Sequence, residues 1–161
     1  MTVLDVRRDE EALTLTLVAE FDAPPARVWQ VWEDPRQLER WWGPPTWPAT
    51  FDRHEVRPGG RSAYHMTGPD GTKAHGWFEF TLVEAPRRLE FNDGFADQNG
   101  EPTDNIAPTH AVVTLEAAAD GTRMTVLSQF ASLDQLHQLA KMGMEDGLRL
   151  AIEQIDGVLK E

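Results

Sequence analysis

Side chains able to do chemistry are few in this chain, and they are histidines, carboxylates and one tyrosine. There is no cysteine, which removes disulfides, thiolate metal sites and a thiol nucleophile. The five histidines, His54, His65, His75, His110 and His137, never stand at the spacing that puts two imidazoles on one helix face, so no metal site is expected. Neither a Gly-x-Ser-x-Gly elbow nor a Gly-x-Gly-x-x-Gly loop occurs, and acyl-enzyme chemistry and dinucleotide binding therefore lack their mechanical parts. Gly68-Pro69-Asp70-Gly71 reads as a hairpin turn, not a phosphate cradle. No cofactor is implied. What remains is general acid–base chemistry, for which His54, Asp52 and Tyr64 are the candidate catalytic residues. A buried imidazole or carboxyl can have its pKa moved toward neutrality and so exchange protons there.

Aromatic residues form the second signal. Trp29, Trp32, Trp41, Trp42 and Trp47 fall within nineteen positions. Trp29 and Trp32 read as core anchors. Trp41 and Trp42 stand beside Gly43-Pro44-Pro45 and are candidates for the wall of a ligand cleft, where aromatic rings supply apolar area with one polar handle.

These residues need a scaffold, and 161 residues fit a single domain with a substantial core. A net charge of −12, from 27 acidic and 15 basic residues, repels nucleic acid and anionic membranes. The N-terminus lacks the continuous apolar stretch of a signal peptide and no segment approaches a membrane span, so a cytoplasmic protein is expected. Leu13, Leu15, Leu17, Ala19 and Phe21 alternate with polar residues and predict a strand from Ala12 to Phe21. Pro24-Pro25 and Asp34-Pro35 each open a short helix, the second ending at Gly43-Pro44-Pro45.

From Ala49 to Phe130 the apolar period is two, broken by turn signals at Pro58-Gly59-Gly60, Gly68 to Gly71, Ala85-Pro86 and Asp120-Gly121. Six strands are predicted: 50–57, 61–67, 73–84, 88–93, 109–117 and 122–130. The connection from Gly94 to Pro108 is long and carries one bulky apolar pair, Phe95 and Ile106. Ser132 and Gln135 form a capping box, after which Leu133, Leu136, Ala140, Met144, Gly147, Leu148, Ala151, Ile155 and Leu159 trace one face of a helix lasting to the end. Gly143 and Gly147 inside it cost roughly 1 kcal/mol each relative to Ala. Close approach of the sheet, or room for a ligand, would repay them.

A strand, two short helices, a six-stranded meander and a long terminal helix resemble the helix-grip fold of the START-like, or SRPBCC, superfamily. Asp22-Ala23-Pro24, Val28-Trp29, Trp41-Trp42-Gly43-Pro44, Arg57-Pro58-Gly59-Gly60, Gly68-Pro69-Asp70-Gly71, Pro86-Arg87-Arg88-Leu89 and Met144-Glu145-Asp146-Gly147 occur in the order of the family named after the activator of the heat-shock-protein-90 ATPase. Leu148 stands where many relatives carry Trp after the helix glycine. The resemblance implies an α+β domain, a seven-stranded antiparallel sheet wrapped around a C-terminal helix, and a cavity for a small hydrophobic molecule. It also implies a carrier, sensor or resistance-type role. Two other roles stay open. One is a cyclase- or hydrolase-like enzyme using His54 as base and Tyr64 as donor to a developing enolate. The other is a chaperone-interaction module, although the eukaryotic activators join this domain to a separate one that 161 residues leave no room for.

Strand phase then selects the inward residues. Tyr64 and Met66, Phe78, Phe91, Val113 and Phe130 fall on the apolar phase of their strands. With Trp41, Trp42, His54, Phe95, Met144, Gly147 and Leu148 they make up the expected ligand contacts. The strand at 50–57 has a conflict in either phase. If Val56 points inward, so do Asp52 and His54; if Phe51 points inward, His54 lies on the surface.

Overall fold

The computed structural model describes residues 2–103 and 106–160. Eight strands form one antiparallel sheet in the order β1-β2-β8-β7-β6-β5-β4-β3. They are β1 (Thr2–Asp9), β2 (Thr14–Phe21), β3 (Ala49–His54), β4 (Arg61–Thr67), β5 (Lys73–Glu84), β6 (Arg88–Ala96), β7 (Thr109–Ala118) and β8 (Gly121–Gln129). Leu15, Leu17, Ala19 and Phe21 of β2 all point into the core. Leu13, expected in that strand, sits in the preceding turn with φ of 58°. The sheet thus has one strand more than the seven expected. The extra strand is β1, an edge strand whose run Asp5, Arg7, Arg8, Asp9 is charged because one side meets only water, so no alternation marks it.

Helix α1 (Pro25–Glu33) buries Val28, Trp29, Val31 and Trp32, and Asp34 caps α2 (Pro35–Leu38) by accepting from the Arg36 N–H at 2.9 Å. Proline at the first turn fits both helices because its missing N–H has no helical partner there. The C-terminal helix is not one rod. It comprises α3 (Leu133–Lys141), α4 (Met144–Glu153) and α5 (Ile155–Leu159). Gly143 adopts φ of 84° at the first break, a left-handed conformation that glycine reaches without the clash a Cβ would make. Its presence inside the helical pattern is thereby explained. At the start of α3, Ser132 accepts from the Gln135 N–H at 3.1 Å. Gln135 does not close the reciprocal half of the capping box. Its side chain instead accepts from the N–H of Ala131 and donates to Ala107 O, which pins the long connection to the helix start.

The phase conflict in β3 is resolved by a bulge. Phe51 pairs with Tyr64, and the register shifts before Arg53 pairs with Ala63 and His54 with Ser62. An extra residue in one strand moves the following side chains to the other face. Phe51 and His54 therefore both point inward, while Asp52 is turned out. Its side chain is 68% exposed and 3.4 Å from His65.

Two apolar clusters form the interior. The larger joins Trp32, Trp41, Phe51, Phe78, Phe80 and Phe91 to α1, α2 and α5. The smaller gathers Leu15, Phe130, Leu136 and Leu139 under α3, with Phe95 and Ile106 packed on it. Leu148 touches both.

Candidate ligand cavity

Where the two clusters fail to meet, a cavity of about 330 Å³ remains between the sheet and the α3–α4 junction. Small-molecule sites begin at this scale. Its floor is the inward face of the sheet: Tyr64 and Met66 from β4, Gly76 from β5, Phe91, Asp93 and Phe95 from β6, and Ala111, Val126 and Ser128 from β7 and β8. Leu139, Met142, Gly143, Met144, Gly147 and Leu148 close it from the helix side, and Trp42 and Pro44 from the loop after α2.

One polar device is set into this apolar wall. The Tyr64 hydroxyl donates to Asp93 Oδ1 at 2.9 Å. The two residues lie on β4 and β6, with β5 between them, so the tyrosine ring must lie across the middle strand. Gly76 permits it. A Cβ on residue 76 would stand 2.5 Å from Tyr64 Oη, closer than side-chain atoms pack. Phe51 stacks on the ring at 4.9 Å between centroids and Phe78 packs at 5.1 Å, which leaves the ring no other place.

Burial pushes the Asp93 carboxyl up from its ordinary 3.8 to about 7, opposed by the hydrogen bond from Tyr64. Burial likewise drives the Tyr64 hydroxyl well above 10.0, so it stays protonated. Removing a carboxylate from water disfavours its charged form, whereas donation to it favours that form. The indole N–H of Trp42 is buried beside this pair and, alone among the described residues' buried side-chain polar atoms, misses hydrogen-bond geometry to any partner, though it lies near enough to the Tyr64 hydroxyl to oppose part of its rise.

Nine of the residues expected from the sequence line the cavity: Trp42, Tyr64, Met66, Phe91, Phe95, Phe130, Met144, Gly147 and Leu148. Four do not. Trp41 is a core anchor, fully buried, with its indole N–H on Val31 O at 2.9 Å. Phe78 and Val113 are 1% exposed, packed into the larger cluster, and do not line the cavity. His54 does not line the cavity. Its Nε2 contacts Trp32 O at 2.8 Å and its Nδ1 contacts Ser62 Oγ at 2.7 Å. A carbonyl can only accept, so Nε2 carries the proton and Nδ1 accepts from the serine. Burial lowers the His54 pKa, against the raising effects of the Trp32 carbonyl and of Asp34 and Glu33.

His54 is thus a satisfied structural imidazole, and of the three catalytic candidates only Tyr64 reaches the cavity. Asp93 is the last residue of the strand predicted over 88–93 and is not among the contacts expected from the sequence. Continuing the phase of Leu89 and Phe91 by one step points Asp93 inward. Among the described residues, no cluster of three or more metal-ligating side chains forms.

An eight-stranded antiparallel sheet closed by C-terminal helices around an apolar cavity defines a helix-grip domain of the START-like class, a fold of the kind that binds small hydrophobic ligands. Residues 22–160 match the family described as Activator of Hsp90 ATPase homolog 1-like protein, and the chain belongs to it. A protein from Arthrobacter aurescens, solved by NMR, is 62% identical over 99% of this chain and 92% of its own, with a TM-score of 0.95. The crystal structure of protein Ms6760 from Mycobacterium smegmatis is 47% identical over 98% of this chain and 97% of its own, with a TM-score of 0.91. Protein NE0264 from Nitrosomonas europaea is 28% identical over 92% of this chain and 95% of its own, with a TM-score of 0.81. No protein of curated function matches the chain. No helix among the described residues is long and apolar enough to cross a membrane.

Proposed function

We propose that this protein binds one small, mostly hydrophobic molecule between the sheet and the α3–α4 junction, as a carrier, sensor or resistance-type protein. The observation that carries this reading is the cavity itself. About 330 Å³ is left open in an interior where Trp32, Trp41, Phe51, Phe78, Phe80 and Phe91 are packed to near-zero exposure. Close packing is the rule inside proteins, so volume on this scale needs an occupant or a use. The wall is largely apolar, which favours partition of an apolar body from water by about 25 cal/mol per Å² of surface buried.

The chain's charge of −12 speaks against nucleic acid as a partner. Acid–base catalysis has weaker support: His54 and Asp52 lie away from the cavity, and no paired base stands beside Tyr64 except Asp93. The reading is tested by titrating N-phenyl-1-naphthylamine, whose emission rises in apolar surroundings, against the wild type and Gly147→Leu. Nothing lies within 4 Å of where a Cβ on Gly147 would stand, so leucine there fills the cavity. Micromolar binding in the wild type and its loss in the variant are expected. No emission change in the wild type, or equal binding by both proteins, would refute the reading.

A further inference from the structure

Asp93 is left half-satisfied by the protein. Tyr64 occupies Oδ1, and among the described residues nothing donates to Oδ2 or forms an ion pair with the carboxylate. Nor is Oδ2 sealed in, because the one buried, unpartnered side-chain polar atom among the described residues is Trp42 Nε1. Oδ2 therefore opens onto the cavity that Asp93 lines. Among the described residues no Lys or Arg lines that cavity, His75 is the one imidazole on its wall, and Asp93 is the one carboxylate. A part-buried carboxylate oxygen facing a largely apolar cavity, with neither a protein donor nor a countercharge, is open to a donor from a guest.

We infer that the cognate ligand carries a single hydrogen-bond-donating head, a protonated amine being the best fit, which seats on Asp93 Oδ2 while its apolar body lies against Phe91, Phe95 and the helix-side residues. This rests on the cavity being a ligand site. An ammonium supplies both the missing donor and the missing positive charge in one group, and charge-assisted bonds of this kind are about twice as strong as neutral ones. The rings of Trp42 and Phe91 line the same cavity, and aromatic rings favour a cation over an anion. A carboxylate head, as on a fatty acid, would instead meet the like charge of Asp93, with no Lys or Arg among the described lining residues to offset it.

Four probes sharing one naphthalene body decide the matter: 1-naphthylmethylamine, 1-naphthalenemethanol, 1-methylnaphthalene and 1-naphthoate, with affinities measured by calorimetry at pH 8 on the wild type and Asp93→Asn. Asparagine keeps an oxygen for Tyr64 and removes the charge. The expected order is amine, alcohol, hydrocarbon, acid, with the amine bound roughly tenfold or more tighter than the hydrocarbon. Asp93→Asn should erase most of the amine's advantage over the hydrocarbon. Equal binding of all four, tightest binding of the naphthoate, or an amine preference that survives in Asp93→Asn would overturn the inference while the cavity stands as a ligand site. Binding of none would overturn both. The wild-type order by itself decides the head group if the variant fails to fold.

Discussion

Asp93→Asn should make the fold more stable at pH 8 and leave it nearly unchanged at pH 4. In the folded protein the Asp93 carboxyl titrates at about 7 rather than 3.8. The folded state therefore holds this proton more tightly than the unfolded chain does. Stability from that proton is fully present below pH 3.8 and is lost as pH rises through about 7. With about 1.4 kcal/mol per pH unit, the loss reaches about 4 kcal/mol on the alkaline side, of which about 3 has accumulated by pH 6. Asparagine has no proton to lose and still accepts from Tyr64. Urea denaturation of both proteins from pH 4 to pH 8 tests this, because every other carboxylate cancels in the difference. The two stabilities should coincide within about 1 kcal/mol at pH 4 and separate by several kcal/mol at pH 8. A difference that stays level across this range would show that Asp93 ionises in the folded state as it does in water, and the account of a buried, half-satisfied carboxyl would fail.

Gly76→Ala should cost about 1–3 kcal/mol through overpacking and break the Tyr64 to Asp93 hydrogen bond, read as a change in the Asp93 carboxyl carbon's NMR titration. His54→Ala should cost on the order of 2 kcal/mol at pH 7.5 by stranding the Ser62 hydroxyl and the Trp32 carbonyl, yet leave N-phenyl-1-naphthylamine affinity unchanged. Because burial lowers the His54 pKa, its neutral form supports the fold above pH 6.5 and that support fades as pH falls, so the gap between wild type and His54→Ala should narrow in acid. Gly143→Ala should cost about 1–2 kcal/mol from the left-handed φ, whereas Gly147→Ala should gain about 0.5–1 kcal/mol from helix propensity, both measured by chemical denaturation.

Much of the scaffold was legible because its signals are local. The boundaries predicted for β4 and β5 match the observed Arg61–Thr67 and Lys73–Glu84, since turns rich in Gly, Pro and Asp fence runs of period two. Features without a local signal were missed. Strand β1 lies at an edge, so its Asp and Arg residues hide the alternation. The bulge at Asp52 adds one residue against β4, and a phase argument that assumes strict alternation must then misplace either Phe51 or His54. A single apolar stripe through Met144 and Gly147 overlooks Leu139 and Val158, which are buried one helical turn beyond Leu136 and Ile155 on separate helices. The site was legible in part. Cavity walls made of strand residues in phase were found, but the Tyr64–Asp93 pair depends on two residues separated by an intervening strand, a relation that no spacing along the chain encodes.

The left-handed residue between α3 and α4 has a consequence for how such a protein can diverge. In an unbroken helix, inserting one residue rotates everything downstream by about 100° and swings its apolar stripe off the sheet. Here α3 is seated by Leu136 and Leu139 on Leu15 and Phe130, while α4 is tethered separately to β1 through Glu145 and Arg8. Lengthening or shortening the chain at the glycine joint therefore re-aims Met142 and its neighbours without unseating either anchor. Guest size can drift at this swivel while the sheet stays as it is.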